Sequence, residues 1–391
     1  MVGSAQHEYV ATCTNGVEGV LADELAAMPG VRDLRPLRGA VAFVGTLEAG
    51  YRVALWSRIA SRVLIELGSF GGDDADALYE GVQQIDWREH VDPEGTLAVS
   101  FIGTNDHIRN SMFGAMRTKD AICDQIRDNE GVRPSVDLER PDIRVHIHLR
   151  RGNFSVALDL AGDPLHERGY HRSAGPAPIK ETLAAAILHL AEWPDAARSG
   201  APLVDPMCGC GTFLLEAAGM ALDRPAGFDR DRWGFSKWRS HDPDAWAVVR
   251  QEAQERMDAA RGRQVAIYGA DHDPEALRTT KVNAAKANLP VFVKRQDVAD
   301  SAPPDSPRRQ PPYGLVVTNP PYGERLSTKA GAEQLGRRFS RALRERYWGW
   351  SVFVIAGSQE LARGIGLPAT RSKPLWNGPI ECRLLQYDIG S

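Results

Sequence analysis

The 391-residue chain carries 43% hydrophobic and 25% charged residues, which is the make-up of a water-soluble globular protein with enough length for two or three domains. Its formal net charge of −4 excludes a uniformly basic nucleic-acid binder, although a local basic surface stays open because phosphate contacts depend on local charge. No apolar run reaches membrane length and the first residues lack a basic start and an apolar signal core, so no bilayer crossing and a cytoplasmic location are expected.

The elements follow in order. "YVATCTNGVEGVLADELAAM" predicts a short strand, a Gly turn and an amphipathic helix with Val17, Val20, Leu21, Leu25 and Met28 on one side. "VAFVG" has the alternation of a strand, and "LEAGYRVALWSRIASRVLIELGSF" runs from helix into strand. A second α+β group comprises the strand "TLAVSFIG", the helix "NSMFGAMRTKDAICDQIRDNEG" and the strands "DIRVHIHLRRG" and "NFSVALDLAG", with Gly-Asn between the last two as a hairpin signal. The Gly-, Pro- and charge-rich "GDPLHERGYHRSAGPAPIK" then separates these from a different pattern. From Glu181 onward strands and helices alternate, which predicts an α/β fold with a mainly parallel sheet covered on both faces. The tail "KPLWNGPIECRLLQYDI" places Asn377-Gly378 between two β-like runs, as in an antiparallel edge hairpin, and the Pro-rich "SAPPDSPRRQPPYG" predicts a long surface loop.

The chemistry-bearing residues gather at the ends of the later strands. In "LVDPMCGCGTFLLEAA" a strand ends at Asp205, passes Gly209 and Gly211, and opens a helix at Thr212. Such glycines allow positive φ and let backbone amides approach a ligand. The third glycine of the dinucleotide fingerprint is replaced by Leu214 and the phosphate-binding Lys-Ser/Thr pair is missing, so a nucleoside without phosphates fits better. The next strand ends at Asp271, where a carboxylate could accept from both ribose hydroxyls, while Asp273 before Pro274 has the form of a helix cap. Asp297, at a third strand end, could accept from an adenine amine. A single Asp of this kind is as readily a loop or cap carboxylate; three at successive strand ends beside a glycine loop match the ligand edge of an open α/β sheet.

A fourth strand delivers Asn319-Pro320-Pro321-Tyr322 to the same edge. The Asn319 side-chain oxygen and the Pro320 carbonyl can each accept a hydrogen from an exocyclic amine, and Tyr322 can stack on its base. An aryl amine is a poor nucleophile because its lone pair is delocalised into the ring. Two acceptors that hold the nitrogen as it becomes tetrahedral direct that lone pair at an electrophilic methyl group.

The segments "DPMCGCGT" and "NPPYGERL" resemble S-adenosylmethionine-dependent amino-methyltransferases. With "VATCTNGVEGVLADEL", "NDHIRNSMFGAMRTKDAI", "PDIRVHIHL", "LHERGYHRSAGPAPIKETLAAAI" and "RWGFSKW", the likeness extends over nearly the whole chain to the bacterial 23S rRNA guanine-N2 methyltransferases that carry an amino-terminal THUMP RNA-binding region. The resemblance implies a ferredoxin-like α+β part over residues 1–50, a THUMP domain over 51–162 and a Rossmann-like methyltransferase domain with a seven-stranded sheet over 163–391. It implies S-adenosyl-L-methionine as cofactor, with Asp205, Cys208, Gly209, Gly211 and Thr212 around its methionine part, Asp271 at the ribose, Asp297 near the adenine, and Pro178, Lys180 and Glu181 beside it. Asn319, Pro320, Pro321 and Tyr322 become the target-base clamp. Cys210 stands where the family usually has Ser, with the loss of one hydroxyl contact. Some relatives are fused to a second methyltransferase that makes 7-methylguanine; the resemblance does not carry that activity to these residues. The implied partner is 23S rRNA or a large-subunit assembly intermediate, with no stable protein partner.

Several features keep two readings. Arg109, Arg117, Lys119 and Arg127, with Arg150 and Arg151, are either an RNA surface or a solvated helix face. Trp233, Trp238 and Trp246 either stack on unpaired bases or pack in a core or lid. His146 and His148 share one strand face and read as structural, and the basic helix "GRRFSRALRER" either meets phosphate or forms a charged outer face. Of the five cysteines only Cys208 and Cys210 lie close together, without a second pair at metal-ligand spacing, so no metal is expected. Other functions weighed are a tRNA guanine-N2 methyltransferase, adenine-N6 transfer by the same clamp, and a non-catalytic RNA-binding ribosome-assembly factor.

Overall fold

A computed structural model describes residues 5–170, 179–304, 313–321, 329–378 and 380–390. The chain divides into two compact units, Met1–Cys13 with Ala22–Leu165 and Arg230–Gln251, and Thr14–Leu21 with His166–Asp229 and Glu252–Ser391. Among the described residues no helix is long and apolar enough to cross a membrane.

The first unit is built on an eight-stranded sheet. Its strands are β1 (His7–Thr12), β2 (Arg32–Leu37), β3 (Ala40–Gly45), β4 (Arg62–Gly71), β5 (Thr96–Ile102), β6 (Ser135–Val136), β7 (Ile143–Arg150) and β8 (Asn153–Asp159), in the order β2-β3-β1-β4-β8-β7-β5-β6. Helix α1 (Glu18–Ala26) is divided between the two units, and α2 (Leu47–Trp56), α3 (Ala75–Gln83) and α4 (Ser111–Glu130) belong to this one. Val17, Leu21 and Leu25 are buried, in line with the expected helix face. The alternation expected of β3 does not hold, because Val41, Ala42 and Phe43 are all buried. The hairpin between β7 and β8 forms one residue earlier than the Gly-Asn signal suggests. Arg150 pairs with Asn153, and Arg151 and Gly152 occupy the turn at φ 51° and 72°.

The tryptophan-rich segment Arg230–Gln251 completes this unit's core. Trp233 and Trp238 are buried; Trp233 stacks on Phe235 with ring centroids 5.7 Å apart, and Phe235 lies 4.5 Å from the Tyr51 ring. Trp238 Nε1 is 2.9 Å from His90 Nδ1. The approach is close enough that a side chain at Gly234 would stand 2.0 Å from the Asp159 carbonyl oxygen. The core reading of these aromatics therefore stands over base stacking. His146 lies 3.5 Å from the fully buried Asp159, which also pairs with Arg62, a structural setting.

The second unit has the expected α/β architecture. Helices α5 (Glu181–Leu190) and α6 (Trp193–Arg198) precede β9 (Leu203–Asp205), α7 (Thr212–Ala221) and α8 (Pro243–Ala259), the last divided between the units. They are followed by β10 (Ile267–Asp271), α9 (Pro274–Ala287), β11 (Phe292–Arg295), β12 (Leu315–Thr318), α10 (Lys329–Arg346), β13 (Ser351–Ala356), α11 (Gln359–Ile365), β14 (Arg371–Asn377) and β15 (Ile380–Asp388). The seven-stranded sheet runs β11-β10-β9-β12-β13-β15-β14, parallel except for the pairings of β15 with β13 and β14. The edge hairpin is thus the antiparallel one expected from Asn377-Gly378. Val204, Val316, Phe339, Leu343, Val352 and Val354 are among the residues that fill its core. Because β9, β10, β11 and β12 are parallel, their carboxyl ends share one rim of the sheet.

Candidate active site

At that rim β9 ends at Asp205 and the chain turns through Gly209 and Gly211, at φ 54° and 87°, into α7 at Thr212. Both positions lie in the left-handed region that favours glycine. A side chain at Gly209 would meet nothing within 4 Å, so this backbone faces open space. Gly211 caps α7 without a side-chain bond, which leaves the first-turn amides without a side-chain acceptor there.

The polar atoms of the turn are tied from behind. The Gly209 N–H donates to Asp271 Oδ2 at 2.9 Å, and Asp271 Oδ1 accepts the Asp273 N–H at 3.0 Å. Asp273 caps α9, as its sequence context predicts, and accepts the Glu275 N–H at 2.9 Å. From α9 the Thr280 hydroxyl donates to the Gly209 carbonyl at 2.7 Å, and Asn283 Nδ2 donates to the Cys210 carbonyl at 3.3 Å. Both side chains are fully buried. With the Gly209 and Cys210 carbonyls held by α9, the open side of the turn is left to a ligand. Thr280 and Asn283 were missed in the sequence; polar residues three apart on the buried face of a helix were the available signal.

Asp205 is buried, accepts the Thr318 hydroxyl at 2.7 Å and the Met207 N–H at 3.1 Å, and so ties the end of β9 to the end of β12. Burial raises its pKa to about 7; the Thr318 and Met207 bonds work against that shift, and the nearby Asp271 charge adds to it. Cys208 is buried too, and desolvation pushes its thiol well above the ordinary range, so it is a neutral packing residue and not a thiolate. Cys210 Sγ lies 3.5 Å from Thr212 Oγ1.

Residues 297–301 follow β11 as a short 3-10 turn. Asp297 caps it by accepting the Ala299 N–H at 2.8 Å and pairs with Arg338 at 2.5 Å. Burial opposes ionisation of Asp297, but the Ala299 amide and the Arg338 guanidinium outweigh it and the pKa is lowered. Glu181 is buried in the first turn of α5, behind the exposed Lys180 at the N-cap. Pro178 and Tyr322 lie outside the described residues.

Asn319 follows Thr318 at the end of β12. Its Oδ1 atom is buried without a hydrogen-bond partner among the described residues. A buried acceptor in that condition costs about 1–3 kcal/mol, and a ligand that donates to it recovers the loss. Pro320 beside it is buried, and Pro321 is partly buried. The open glycine turn, the uncapped α7 start, the Asp271 carboxylate and the orphaned Asn319 oxygen are a donor and acceptor set that fits an amino-acid-bearing nucleoside and an amine. Asn319 and the glycine turn share one rim of one sheet.

The cations expected to meet RNA differ in how they are engaged. Arg117 sits 4.2 Å from the Tyr79 ring centroid and pairs with Asp76 at 2.8 Å, and Lys119 pairs with Asp120. Arg109 is exposed and donates to the Asp106 carbonyl at 2.9 Å. Arg150 and Arg151 are exposed at the β7–β8 turn.

Comparison with known proteins is consistent with this layout. Residues 168–386 match the family described as RMKL-like, methyltransferase domain; residues 72–159 match the THUMP domain and residues 8–64 the RlmL ferredoxin-like domain. The ribosomal RNA large subunit methyltransferase K/L of Ectopseudomonas mendocina (strain ymp) is 44% identical over 388 residues, 99% of this chain and 53% of that protein. The chain spans about half the length of the curated relatives it matches. Among solved structures, a predicted N6-adenine-specific DNA methylase from Listeria monocytogenes str. 4b F2365 superposes with a TM-score of 0.85 at 28% identity, covering 98% of this chain and 97% of that one. SMU.472, a candidate methyltransferase solved in complex with SAH, gives 0.84 at 28% identity and covers 98% of each chain.

Proposed function

We infer that this chain, which belongs to the RMKL-like methyltransferase family, transfers a methyl group from S-adenosyl-L-methionine to the exocyclic N2 amine of a guanosine in 23S ribosomal RNA. The observation that carries this reading is the Asn319 Oδ1 atom, buried and without a partner among the described residues, just past the strand next to the one that opens the glycine turn. The ribosomal RNA name of the full-length relatives and the THUMP match support the RNA substrate, and the SAH complex of a structural neighbour supports the cofactor. The reading is confined to the half of those relatives that this chain covers.

In the mechanism, S-adenosylmethionine when bound supplies an electrophilic methyl group on a sulfonium. Asp271 would hold its ribose, Asp297 its adenine amine, and the amides of the first turn of α7 its methionine part. Asn319 Oδ1 and the Pro320 carbonyl accept the two hydrogens of the guanine amine. Held by both, the nitrogen departs from planarity and its lone pair is freed from the ring. As the nitrogen–carbon bond forms, the methyl–sulfur bond would break with its electron pair left on sulfur as S-adenosylhomocysteine, and the nitrogen, now positively charged, loses its acidic proton to water without a strong base. Tyr322 stacks on the flipped base. Arg109, Arg150 and Arg151 meet RNA phosphate before Arg117 and Lys119, which are already engaged with carboxylates. The substrate is free 23S rRNA or an assembly intermediate of the large subunit.

The purified chain, incubated with labelled cofactor and undermodified large-subunit rRNA, is expected to yield N2-methylguanosine on digestion and mass spectrometry. Methyladenine, or label confined to DNA, tRNA or protein, overturns the reading. Asn319→Ala is expected to lower turnover by about 10²–10³ while cofactor affinity stays within a few fold. Equal loss of affinity would reassign the residue.

A further inference from the structure

Helix α10 holds the turn at residues 297–301 through its polar side chains. Arg338 pairs with Asp297 Oδ1 at 2.5 Å. Arg346 donates to the Ala299 carbonyl at 3.2 Å and the Ser301 carbonyl at 3.1 Å, and just beyond the helix the Tyr347 hydroxyl lies 2.6 Å from Ser301 Oγ. The helix is itself fixed, because Phe339 and Leu343 are fully buried in the core of the second unit. The start, middle and end of the turn are therefore referenced to one rigid element.

On Asp297 the two bonds fall on the same oxygen. Oδ1 accepts both the Ala299 amide and Arg338, and Oδ2 has no bond among the described residues. A carboxylate fixed on one oxygen presents the other in a defined direction, which suits a single planar N–H donor. The carboxylate is 38% exposed, so a ligand can reach it.

We propose that Arg338 is a positioning residue for adenine recognition: it holds Asp297 by one oxygen so that the other accepts the exocyclic amine of the cofactor. The inference rests on the reading of Asp297 as the adenine acceptor. Because the Arg338 side chain is 44% exposed, solvent screens the pair and the effect is modest, an affinity change of about five-fold. Loss of Arg338 leaves the carboxylate held by the Ala299 amide alone, so its free oxygen is less closely directed and the discrimination between an amine and a carbonyl at that ring position narrows.

The test is calorimetric and uses no RNA. S-adenosyl-L-homocysteine and S-inosyl-L-homocysteine, which has a carbonyl where adenine has the amine, are titrated into the wild-type chain, Arg338→Met, Arg338→Lys and Asp297→Asn. The wild type is expected to bind the adenosyl ligand at least about ten-fold more tightly than the inosyl one, and Asp297→Asn to lose most of that preference. Arg338→Met is expected to bind the adenosyl ligand about five-fold more weakly and to lose a similar factor of discrimination, with Arg338→Lys between it and the wild type. Thermal melts of the free variants accompany the titrations, since a purely structural role lowers stability without moving the ligand ratio. Arg338→Met with wild-type affinity and ratio overturns the proposal. A wild type that binds both ligands alike, or Asp297→Asn with its preference intact, overturns it through Asp297. Failure of the wild type to bind either ligand refutes instead the cofactor assignment beneath it.

Discussion

The Thr318 hydroxyl donates to Asp205 Oδ1 at 2.7 Å, and this side-chain bond ties the end of the strand that leads into the glycine turn to the end of the strand that leads into Asn319. Both residues are buried, so the bond is made where an alternative partner in water is absent. Thr318→Val keeps the shape of the side chain and removes the donor. It is expected to destabilise the chain by about 1–3 kcal/mol and, on the proposed mechanism, to lower turnover more than cofactor affinity. Chemical denaturation and single-turnover assays check the two parts separately.

Asp205 gives stability a pH dependence whose sign follows from its raised pKa. In the folded chain it titrates at about 7 against an ordinary value of 3.8. Below 3.8 both states are protonated and its contribution is fully present. Between 3.8 and about 7 the unfolded state gives up the proton first, so stability falls as pH rises, and above that window the loss is complete. The ceiling on this effect is on the order of 4 kcal/mol. Asp205→Asn removes the titration, and melting temperatures measured from pH 4 to pH 8 should show the variant gaining on the wild type as pH increases. Parallel curves would mean that Asp205 is ionised throughout.

Thr280 contacts the turn in two ways, and substitutions separate them. Its hydroxyl holds the Gly209 carbonyl, while a side chain added at Gly211 would stand 2.6 Å from its methyl carbon. Thr280→Val retains the packing and leaves the carbonyl unsatisfied, so S-adenosylhomocysteine should bind about ten-fold more weakly. Thr280→Ser retains the bond and should bind within a few fold of wild type. Gly211→Ala should fail both ways, because it adds strain at φ 87° to the clash.

Arg168 and Glu216 form an ion pair at 3.1 Å with both side chains 1% exposed, and Tyr170 donates to the same carboxylate at 3.2 Å. Removing one member of such a pair strands the other charge. Arg168→Met is expected to cost about 3–5 kcal/mol, and pairing it with Glu216→Leu should recover much of that loss. Urea titration of the single and double variants decides it; additive losses would show that the two charges are not coupled.

The parallel sheet was legible because three of its strands run into residues that strands avoid: Asp205, Asp271 and the Asn319-Pro320 step punctuate the apolar runs. The rim on which the candidate residues gather was legible for the same reason, since those stops all fall on it. Residues that act through the backbone were not. Thr280 and Asn283 carry no motif of their own, and their role appears only when α9 is seen behind the turn. Helix α8 also went unseen, although Asp242 before Pro243 was a readable start: Asp242 accepts the Asp244 and Ala245 amides at 3.0 and 2.9 Å. Charge alone could not rank the cations, because Arg117 and Arg109 differ in their neighbours and not in their chemistry.

Residues 230–251, encoded well after the first methyltransferase helices, supply Trp233, Phe235 and Trp238 to the interior of the amino-terminal unit. A gene fragment that stops at residue 165 would therefore leave Tyr51 and His90 without the rings they rest on. The amino-terminal unit, which includes the THUMP match, is thus not one continuous stretch of chain, and recombination at that boundary would part it from these rings.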